Sequence, residues 1–322
     1  MVGQPWFGLG TTRSRACSSV SDEAVLILAG ATASGKTDLA IELAREFDAE
    51  IVGADSRQIY RGMTAGTAAP SARQLGEVPH HLVGFLEPTD RYSAAQYAQD
   101  ALDAVRRIRR RGKRVIVAGG SGFYIRALTG GIALAPQYDE ALRERFAREV
   151  SIHPPEFLHD WLARRDPARA RHLEANDTYR VVRALEIALA PATSSRRGEP
   201  LRTLATEKLG WLLVFLDLPW SVIDARIAIR TKRIVEKGLI EEAERIGERA
   251  IAANAVGYPQ ALAYQRGWST KGELCALLER ATRRYARRQR TWFRGEPATL
   301  WLAPESVRTL VREKLGWSTK RN

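Results

Sequence analysis

The sequence has only two cysteines, Cys17 and Cys275, among 322 residues, and neither has a partner at the spacing of a metal site or disulfide framework. This scarcity excludes a disulfide-stabilised scaffold and favours a reducing, cytoplasmic setting. No apolar run approaches the roughly 20 residues that span a bilayer, so we expect no membrane partner. Residues 1–23 lack the apolar core of a secretory signal, and we predict that they form a disordered leader.

Acidic residues are also scarce relative to basic ones. Lysine and arginine number 50 against 37 for aspartate and glutamate, which gives a formal net charge of +13. A surplus of this size suits a polyanionic partner such as a nucleic acid. The 45% hydrophobic content indicates a globular chain with a sizeable core, and the length allows two domains or one domain with an insertion.

A phosphate-binding motif stands near the start of this globular part. The stretch GATASGKT, residues 30–37, fits the pattern G-x-x-x-x-G-K-[ST], and it lies between an apolar run at 24–29 and a helical pattern. The order strand, glycine-rich turn, helix predicts a P-loop whose backbone N–H groups converge on phosphate oxygens. Lys36 would add a charge there, and the Thr37 hydroxyl would reach Mg²⁺.

Short apolar runs followed by helical patterns continue along the chain. We predict further strands at 50–54, 114–118, 211–216 and 299–302. Strands this apolar are typical of a parallel sheet that is covered on both faces. Because no strand pattern occurs between 138 and 206, we predict a helical insertion there. The predicted fold is α/β: a P-loop NTPase-like parallel sheet flanked by helices, formed by 24–137 and 207–322, with a helical insertion domain at 138–206.

Polar residues follow two of the predicted strands at the edge where open α/β sheets bind ligands. Asp55 could accept a proton from a nucleophile, hold Mg²⁺ through water, or cap a following turn. Ser121, in GGSG, could donate a hydrogen bond to phosphate or belong to a tight turn. Asp217 is the only candidate for the Walker-B carboxylate of a nucleotidase, and the Leu-Pro-Trp that follows favours a strand-end cap instead.

Two segments are rich in arginine. Residues 105–114 carry seven basic side chains, and we interpret them as a solvated helix face. Residues 279–294 carry seven arginines interleaved with Tyr285, Trp292 and Phe293, a pattern that favours contact with RNA or phosphate. At helical spacing, one stripe comprises Arg280, Arg283 or Arg284, Arg287 and Arg294.

Taken together, these segments resemble the tRNA dimethylallyltransferase (tRNA isopentenyltransferase) family from about Val25 to Arg294. The matching stretches occur in the family's order: GATASGKT, ADSRQIYRGMTAGTAAP, VPHHLVGFLEPTDRYSAAQY, VAGGSGFYIRAL, NDTYRVVRALEI, RIAIRTKRIVEKGLIEEA, AVGYPQAL and TRRYARRQRTWFR. The resemblance implies that the loop holds dimethylallyl diphosphate rather than ATP. It also implies that N6 of adenosine 37, in tRNAs reading codons that begin with U, attacks the allylic carbon and releases diphosphate after base flipping.

The resemblance carries roles to individual residues. It implies Asp55 as the base, with Lys36 and Ser121 as the other catalytic residues, Ser121 standing where the family usually has threonine. It implies Mg²⁺ as the cofactor, held by Thr37 and through water with Asp55. Diphosphate would be bound by Gly30, Thr32, Ala33, Ser34, Gly35, Lys36, Thr37, Arg226 and Arg230. The anticodon stem-loop of tRNA would be bound by Ser56, Gln58, Arg180, Arg183, Arg283, Arg284, Arg287, Arg288 and Gln289.

One departure and three rival functions stand beside this interpretation. Ala69 replaces the lysine of the family's common G-T-A-K-P, which puts one tRNA or phosphate contact in doubt. An adenylate isopentenyltransferase would share the donor but needs neither insertion nor basic helix for a free nucleotide. A P-loop nucleotide kinase would need an arginine-bearing lid, and a non-catalytic RNA-binding module would leave Asp55 and Ser121 unexplained. We expect a monomer.

Overall fold

The fold is that of a computed structural model, which describes residues 23–131, 139–189, 202–247 and 255–319. The chain divides into two compact units, one formed by Met1–Ile132 with Arg202–Asn322 and the other by Ala133–Leu201. The predicted leader, apart from Glu23, lies outside the described residues. Residues 202–206, which the sequence assigned to the insertion, lie in the first unit because Leu204 is buried in its core and its N–H donates to the Leu128 carbonyl.

The first unit is built on a six-stranded sheet. The strands are β1 Val25–Gly30, β2 Ala49–Gly53, β3 His80–His81, β4 Arg114–Gly119, β5 Trp211–Leu216 and β6 Leu300–Leu302. Their order in the sheet is β3-β2-β4-β1-β5-β6, with every neighbouring pair parallel. The predicted parallel α/β sheet is therefore confirmed. The strand β3 was not predicted, because its two histidines show no apolar pattern.

Helices cover both faces of this sheet, which explains why all six residues of β1 are buried. The helices of this unit are α1 Lys36–Glu46, α2 Thr64–Thr67, α3 Ala72–Glu77, α4 Ala94–Arg110, α5 Gly122–Thr129, α10 Trp220–Glu236, α11 Leu239–Ile246, α12 Tyr258–Gln265, α13 Lys271–Arg294 and α14 Pro304–Leu315. Leu26 and Leu28 face an apolar cluster completed by α1 and α14, whereas Val25 and Ile27 face one completed by α4, α5 and α13.

A separate apolar cluster fastens the loop after β2 to the C-terminal helices. Ile59 and Met63 from that loop pack with Ile234 of α10, Tyr258 of α12 and Leu278 of α13. This cluster positions the loop over the end of the sheet.

The second unit is helical, as the strand-free pattern predicted. It comprises α6 Glu140–Ile152, α7 Pro155–Arg165, α8 Pro167–Ala170 and α9 Thr178–Leu189. Its small core includes Phe146, Leu162 and Leu185. Within the described ranges of both units, no helix combines the length and apolar character needed to cross a membrane.

Candidate functional site

The P-loop connects β1 to α1 through a turn that needs glycine at its last position. Gly35 has φ +87° at the start of α1, a conformation that side chains with a Cβ adopt only with strain. At the other end of the loop, a Cβ on Gly30 would lie 2.6 Å from Ser34 Oγ. The 11-residue helix α1 begins here without a side-chain cap, and the N–H groups of a first helical turn suit an anion.

A buried glutamine fastens the P-loop to the neighbouring turn. Gln289 of α13 is only 5% exposed; its Oε1 accepts from the Thr32 N–H at 2.8 Å, and its Nε2 donates to the Gly120 carbonyl at 3.0 Å. Both amide groups of Gln289 are engaged inside the protein, which disfavours a side-chain contact with tRNA, and the predicted tRNA contact stays a prediction. The arginine-rich pattern of α13 concealed this inward-facing position.

The glycines of GGSG are explained by three close neighbours. A Cβ on Gly119 would lie 2.0 Å from the Ala54 carbonyl oxygen, one on Gly120 would lie 2.1 Å from Gln289 Nε2, and one on Gly122 would lie 2.2 Å from the Trp292 ring. These contacts press the turn after β4 against β2 and α13. The side chain between them, Ser121, is thereby held at the carboxyl edge of the sheet.

Asp55 and Ser121 lie on adjacent turns at this edge. Ser121 Oγ accepts from the Ser56 N–H at 2.8 Å and donates to Ser56 Oγ at 3.1 Å. Asp55 Oδ1 accepts from the Arg57 N–H at 2.9 Å, which closes a local turn. Because the next helix begins only at Thr64, Asp55 is not a helix N-cap. Both side chains are partly exposed.

Three cations from two helices face the P-loop and Asp55. Arg226 donates to the Ser34 carbonyl at 3.0 Å, and Arg230 donates to the Thr67 carbonyl at 3.1 Å. Burial lowers the pKa of Lys36 to about 8, the nearby Asp55 carboxylate opposes that shift, and the Arg230 charge adds to it. Burial also lowers the pKa of Arg230, against the opposing charge of Asp55. The site thus holds several positive charges close together, and a bound anion would offset the repulsion between them.

Two adjoining cavities meet at Asp55. The outer groove, of about 780 Å³, is lined by the P-loop together with cations such as Arg226, Arg233 and Lys237. The inner cavity, of about 190 Å³, is more apolar, with Ile234 and Leu278 in its wall, and it includes Tyr285. Four residues line both cavities: Thr32, Asp55, Arg230 and Ile234. This arrangement can bind phosphate on one side of a carboxylate and an apolar or planar group on the other.

The other predicted site residues occupy several places. Gln58 lines the outer groove, where its Nε2 donates to the carbonyls of Thr67 and Ala68 at 3.3 and 3.2 Å. Ala69, at the position of the missing lysine, also lines that groove. In the helical unit, Arg180 is exposed and pairs with Asp177 at 3.0 Å, and Arg183 pairs with Glu186 at 2.8 Å.

The arginines of α13 separate onto different faces of the helix. Arg288 lines the inner cavity. Arg280, Arg283, Arg284 and Arg287 line an open basin of about 520 Å³ beside Trp268, whose side chain is 72% exposed. Arg283 in this set is held by ion pairs with Asp224 and Glu279. A basic surface with an exposed aromatic ring suits nucleic acid, which is the partner predicted for this helix.

Magnesium binding stays a prediction. Within the described ranges, no group of three or more histidine, cysteine or acidic side chains is arranged to hold a metal. Thr37 and Asp55 both line the outer groove, and Mg²⁺ commonly takes only one or two protein oxygens beside substrate phosphates. These two side chains therefore fit an ion that arrives with a phosphorylated substrate.

Sequence reasoning missed one buried carboxylate near the site. Glu242 of α11 accepts hydrogen bonds from the N–H groups of Thr64, Ala65 and Gly66 and from the Tyr258 hydroxyl. The motif GLIEEA contains this residue, but nothing in the local pattern distinguishes Glu242 from its exposed neighbour Glu241.

The lowered pKa of Lys36 predicts how diphosphate affinity depends on pH. Below about pH 8 the Lys36 ammonium is charged, and above it the free protein loses that charge. Because a bound polyanion favours the charged form, affinity should fall as pH rises through 8, by up to about tenfold per pH unit. Isothermal titration with inorganic diphosphate in buffers of different ionisation enthalpy should detect proton uptake. Lys36→Arg, which keeps its charge, should lose this dependence, and an unchanged slope in that variant would contradict the assignment.

The basin arginines predict a salt dependence of RNA binding. Replacing both Arg284 and Arg287 with alanine should reduce the slope of log K against log salt by about 1.5, because two phosphate contacts are removed. The matched control is the double replacement of Arg107 and Arg110, two exposed arginines of α4. Filter binding of tRNA across a salt series measures both slopes. Equal changes in the two double variants would show that only net charge matters.

Comparison with known proteins places this site in context. A family model described as IPP transferase matches residues 58–296. The tRNA dimethylallyltransferase of Anaeromyxobacter dehalogenans is 41% identical over 296 residues, covering 90% of this chain and 97% of that protein. The tRNA dimethylallyltransferase 1 of Trichlorobacter lovleyi is 38% identical over 292 residues, covering 89% and 96%.

Solved structures give the same picture. The full-length tRNA isopentenylpyrophosphate transferase of Bacillus halodurans is 31% identical with a TM-score of 0.65, covering 91% of this chain and 97% of that one. A eukaryotic dimethylallyltransferase acting on tRNA is similar in fold alone, with 20% identity and a TM-score of 0.70 over 92% of this chain and 81% of that one.

Proposed function

This chain belongs to the IPP transferase family, and we propose that it transfers a dimethylallyl group from dimethylallyl diphosphate to tRNA. The acceptor in this proposal is N6 of adenosine 37 in tRNAs reading codons that begin with U. The observation that carries the proposal is the position of Asp55, which lines both the cationic groove and the inner cavity. That position suits a base acting between a leaving diphosphate and an attacking amine.

The outer groove supports departure of diphosphate. In the transfer, the bond between the allylic carbon and the bridging oxygen breaks, and its electron pair leaves with the diphosphate. Lys36, Arg226 and Arg230 would stabilise that developing negative charge. Mg²⁺ held by Thr37, and through water by Asp55, would supply further charge neutralisation when bound.

Asp55 would support the attack by the amine, and Ser121 the departure of the leaving group. The lone pair of an exocyclic adenine amine is delocalised into the ring, so transfer of a proton to Asp55 as the N–C bond forms makes the attack easier. The Ser121 hydroxyl, now shared with Ser56, would turn to the bridging oxygen of the donor. The adenine must leave the anticodon-loop stack to reach Asp55, and this unstacking costs a few kcal/mol.

The rival functions receive less support. Asp217, the candidate Walker-B carboxylate of a kinase, does not line the outer groove; it pairs with Arg290 at 2.7 Å at the end of β5. A free nucleotide acceptor would leave the helical unit and the exposed basin on α13 without a role. We propose that both surfaces bind the anticodon stem-loop, largely through shape and phosphate contacts. We also propose that the enzyme acts as a monomer.

Mass spectrometry of position 37 tests the proposal. Unmodified tRNA reading a codon that begins with U, incubated with the protein, dimethylallyl diphosphate and Mg²⁺, should gain one dimethylallyl group on A37. The same tRNA carrying G37 should gain none, and omission of Mg²⁺ should suppress the reaction. Modification of free adenosine monophosphate in place of tRNA would support the adenylate enzyme. Phosphoryl transfer from ATP to a small acceptor would support the kinase.

A further inference from the structure

We infer that Glu242 is a positioning residue, whose buried carboxylate holds α2 so that Arg230 is correctly placed for the diphosphate. The ligand named here rests on the proposed function. Glu242 lies on α11 and does not line either cavity at Asp55. Its effect on the reaction must therefore be transmitted through α2.

The hydrogen bonding of Glu242 is saturated at one end of α2. Its Oε2 accepts from the N–H groups of Thr64 and Ala65 at 2.8 and 2.9 Å. Its Oε1 accepts from the Gly66 N–H at 2.9 Å and the Tyr258 hydroxyl at 2.6 Å. Its Oε2 also accepts from the Thr64 hydroxyl at 3.3 Å. A carboxylate offers about four acceptor sites, so these donors occupy all of them. A buried carboxylate is stable only when it is paired in this way, and Glu242 is 5% exposed.

Close packing makes this arrangement specific. A Cβ on Gly66 would lie 2.6 Å from the Tyr258 ring. The ring of α12 can therefore pack this closely only against a glycine in the G-T-A stretch. The Tyr258 hydroxyl in turn donates to Glu242. Burial, the larger cause, and the Glu242 carboxylate both raise the pKa of this hydroxyl. The three residues form one interlocked unit.

The carbonyl groups at the other end of α2 contact two side chains that line the outer groove, Arg230 and Gln58. The Thr67 carbonyl accepts from Arg230 at 3.1 Å and from Gln58 at 3.3 Å, and the Ala68 carbonyl also accepts from Gln58 at 3.2 Å. Negative charge at the amino end and a guanidinium at the carboxyl end both suit the dipole of the turn. Displacing the amino end should therefore move the carbonyls that orient Arg230.

Glu242→Gln tests this inference directly. The substitution keeps the size but turns one acceptor into an NH₂ group facing N–H donors, so α2 should shift. We expect the Kd for inorganic diphosphate and the KM for dimethylallyl diphosphate to rise at least about tenfold, in line with loss of charged hydrogen bonds. The Kd for tRNA should stay within about twofold. Tyr258→Phe, which removes one of the bonds, should change the diphosphate Kd in the same direction and less.

A stability-matched control separates positioning from folding. Leu315 lies on α14 and is buried against Leu26 and Leu28 of β1 in the cluster on that face of the sheet. Leu315→Ala should lower the Tm and leave the diphosphate Kd unchanged. A folded Glu242→Gln protein with the wild-type diphosphate Kd would overturn the inference. If that variant fails to fold, an unchanged Kd in Tyr258→Phe would overturn it. Absence of prenyl transfer by the wild type would contradict the proposed function alone, because diphosphate titration requires no turnover.

Discussion

Replacing Asp55 with alanine should lower the rate of dimethylallyl transfer about a thousandfold, the usual range for loss of a general base. The expectation follows from the place of Asp55 between the phosphate groove and the inner cavity. tRNA affinity should change little, because most residues predicted to bind the stem-loop belong to the helical unit or to the basin on α13. Single-turnover assays with labelled dimethylallyl diphosphate measure the chemical step, and filter binding measures affinity for tRNA.

The control must account for a second role of the same charge. The Asp55 carboxylate raises the pKa of Lys36, so its removal should make that lysine easier to deprotonate. Assays well below pH 8 keep Lys36 charged in all variants. Asp55→Asn retains an oxygen that can accept from the Arg57 N–H and should be as slow as the alanine variant. Normal turnover in either variant would eliminate Asp55 as the base.

Replacing Gln289 with alanine should destabilise the fold by about 3 kcal/mol, because two buried backbone groups, Thr32 N–H and Gly120 C=O, lose their partners. The same change should weaken diphosphate binding, since the P-loop is no longer fastened to the turn after β4. Denaturant unfolding measures the first effect, and titration with inorganic diphosphate measures the second.

The adjacent arginine provides the matched comparison. Arg288 precedes Gln289 on α13 but is exposed and lines the inner cavity. Arg288→Ala should weaken tRNA binding with little loss of stability. If Gln289→Ala instead behaved like Arg288→Ala, with normal stability and reduced tRNA affinity, the result would support the direct tRNA contact predicted from sequence.

The parts of the fold that could be predicted are those with a local chemical signature. Strands β1 and β5 are continuous apolar runs because both of their faces are covered, and the P-loop carries a fixed spacing. The edge strand β3 consists of His80 and His81, and pairing with β2 rather than composition makes it a strand. Its existence therefore depended on tertiary contacts that the sequence does not display.

The candidate site divides in the same way. Asp55 and Ser121 follow predicted strands, and parallel topology brings the ends of those strands together. Gln289 and Glu242 act across 257 and 178 residues of chain, to Thr32 and Thr64 respectively. No periodicity reports such separations. In α13, arginines on the outer faces also hid Gln289, a polar residue that turns inward.

The three glycines after β4 have a consequence for how this protein can change over time. Each is crowded by a different element: Gly119 by the backbone at Ala54, Gly120 by the amide of Gln289, and Gly122 by the ring of Trp292. A side chain at any one of them would require a compensating change in its own distinct neighbour. For Gly119 no such change exists, because the obstacle is main chain. Substitutions at these three glycines are thus tied to separate parts of the sequence, and Ser121 between them is constrained by its hydrogen bonds to Ser56.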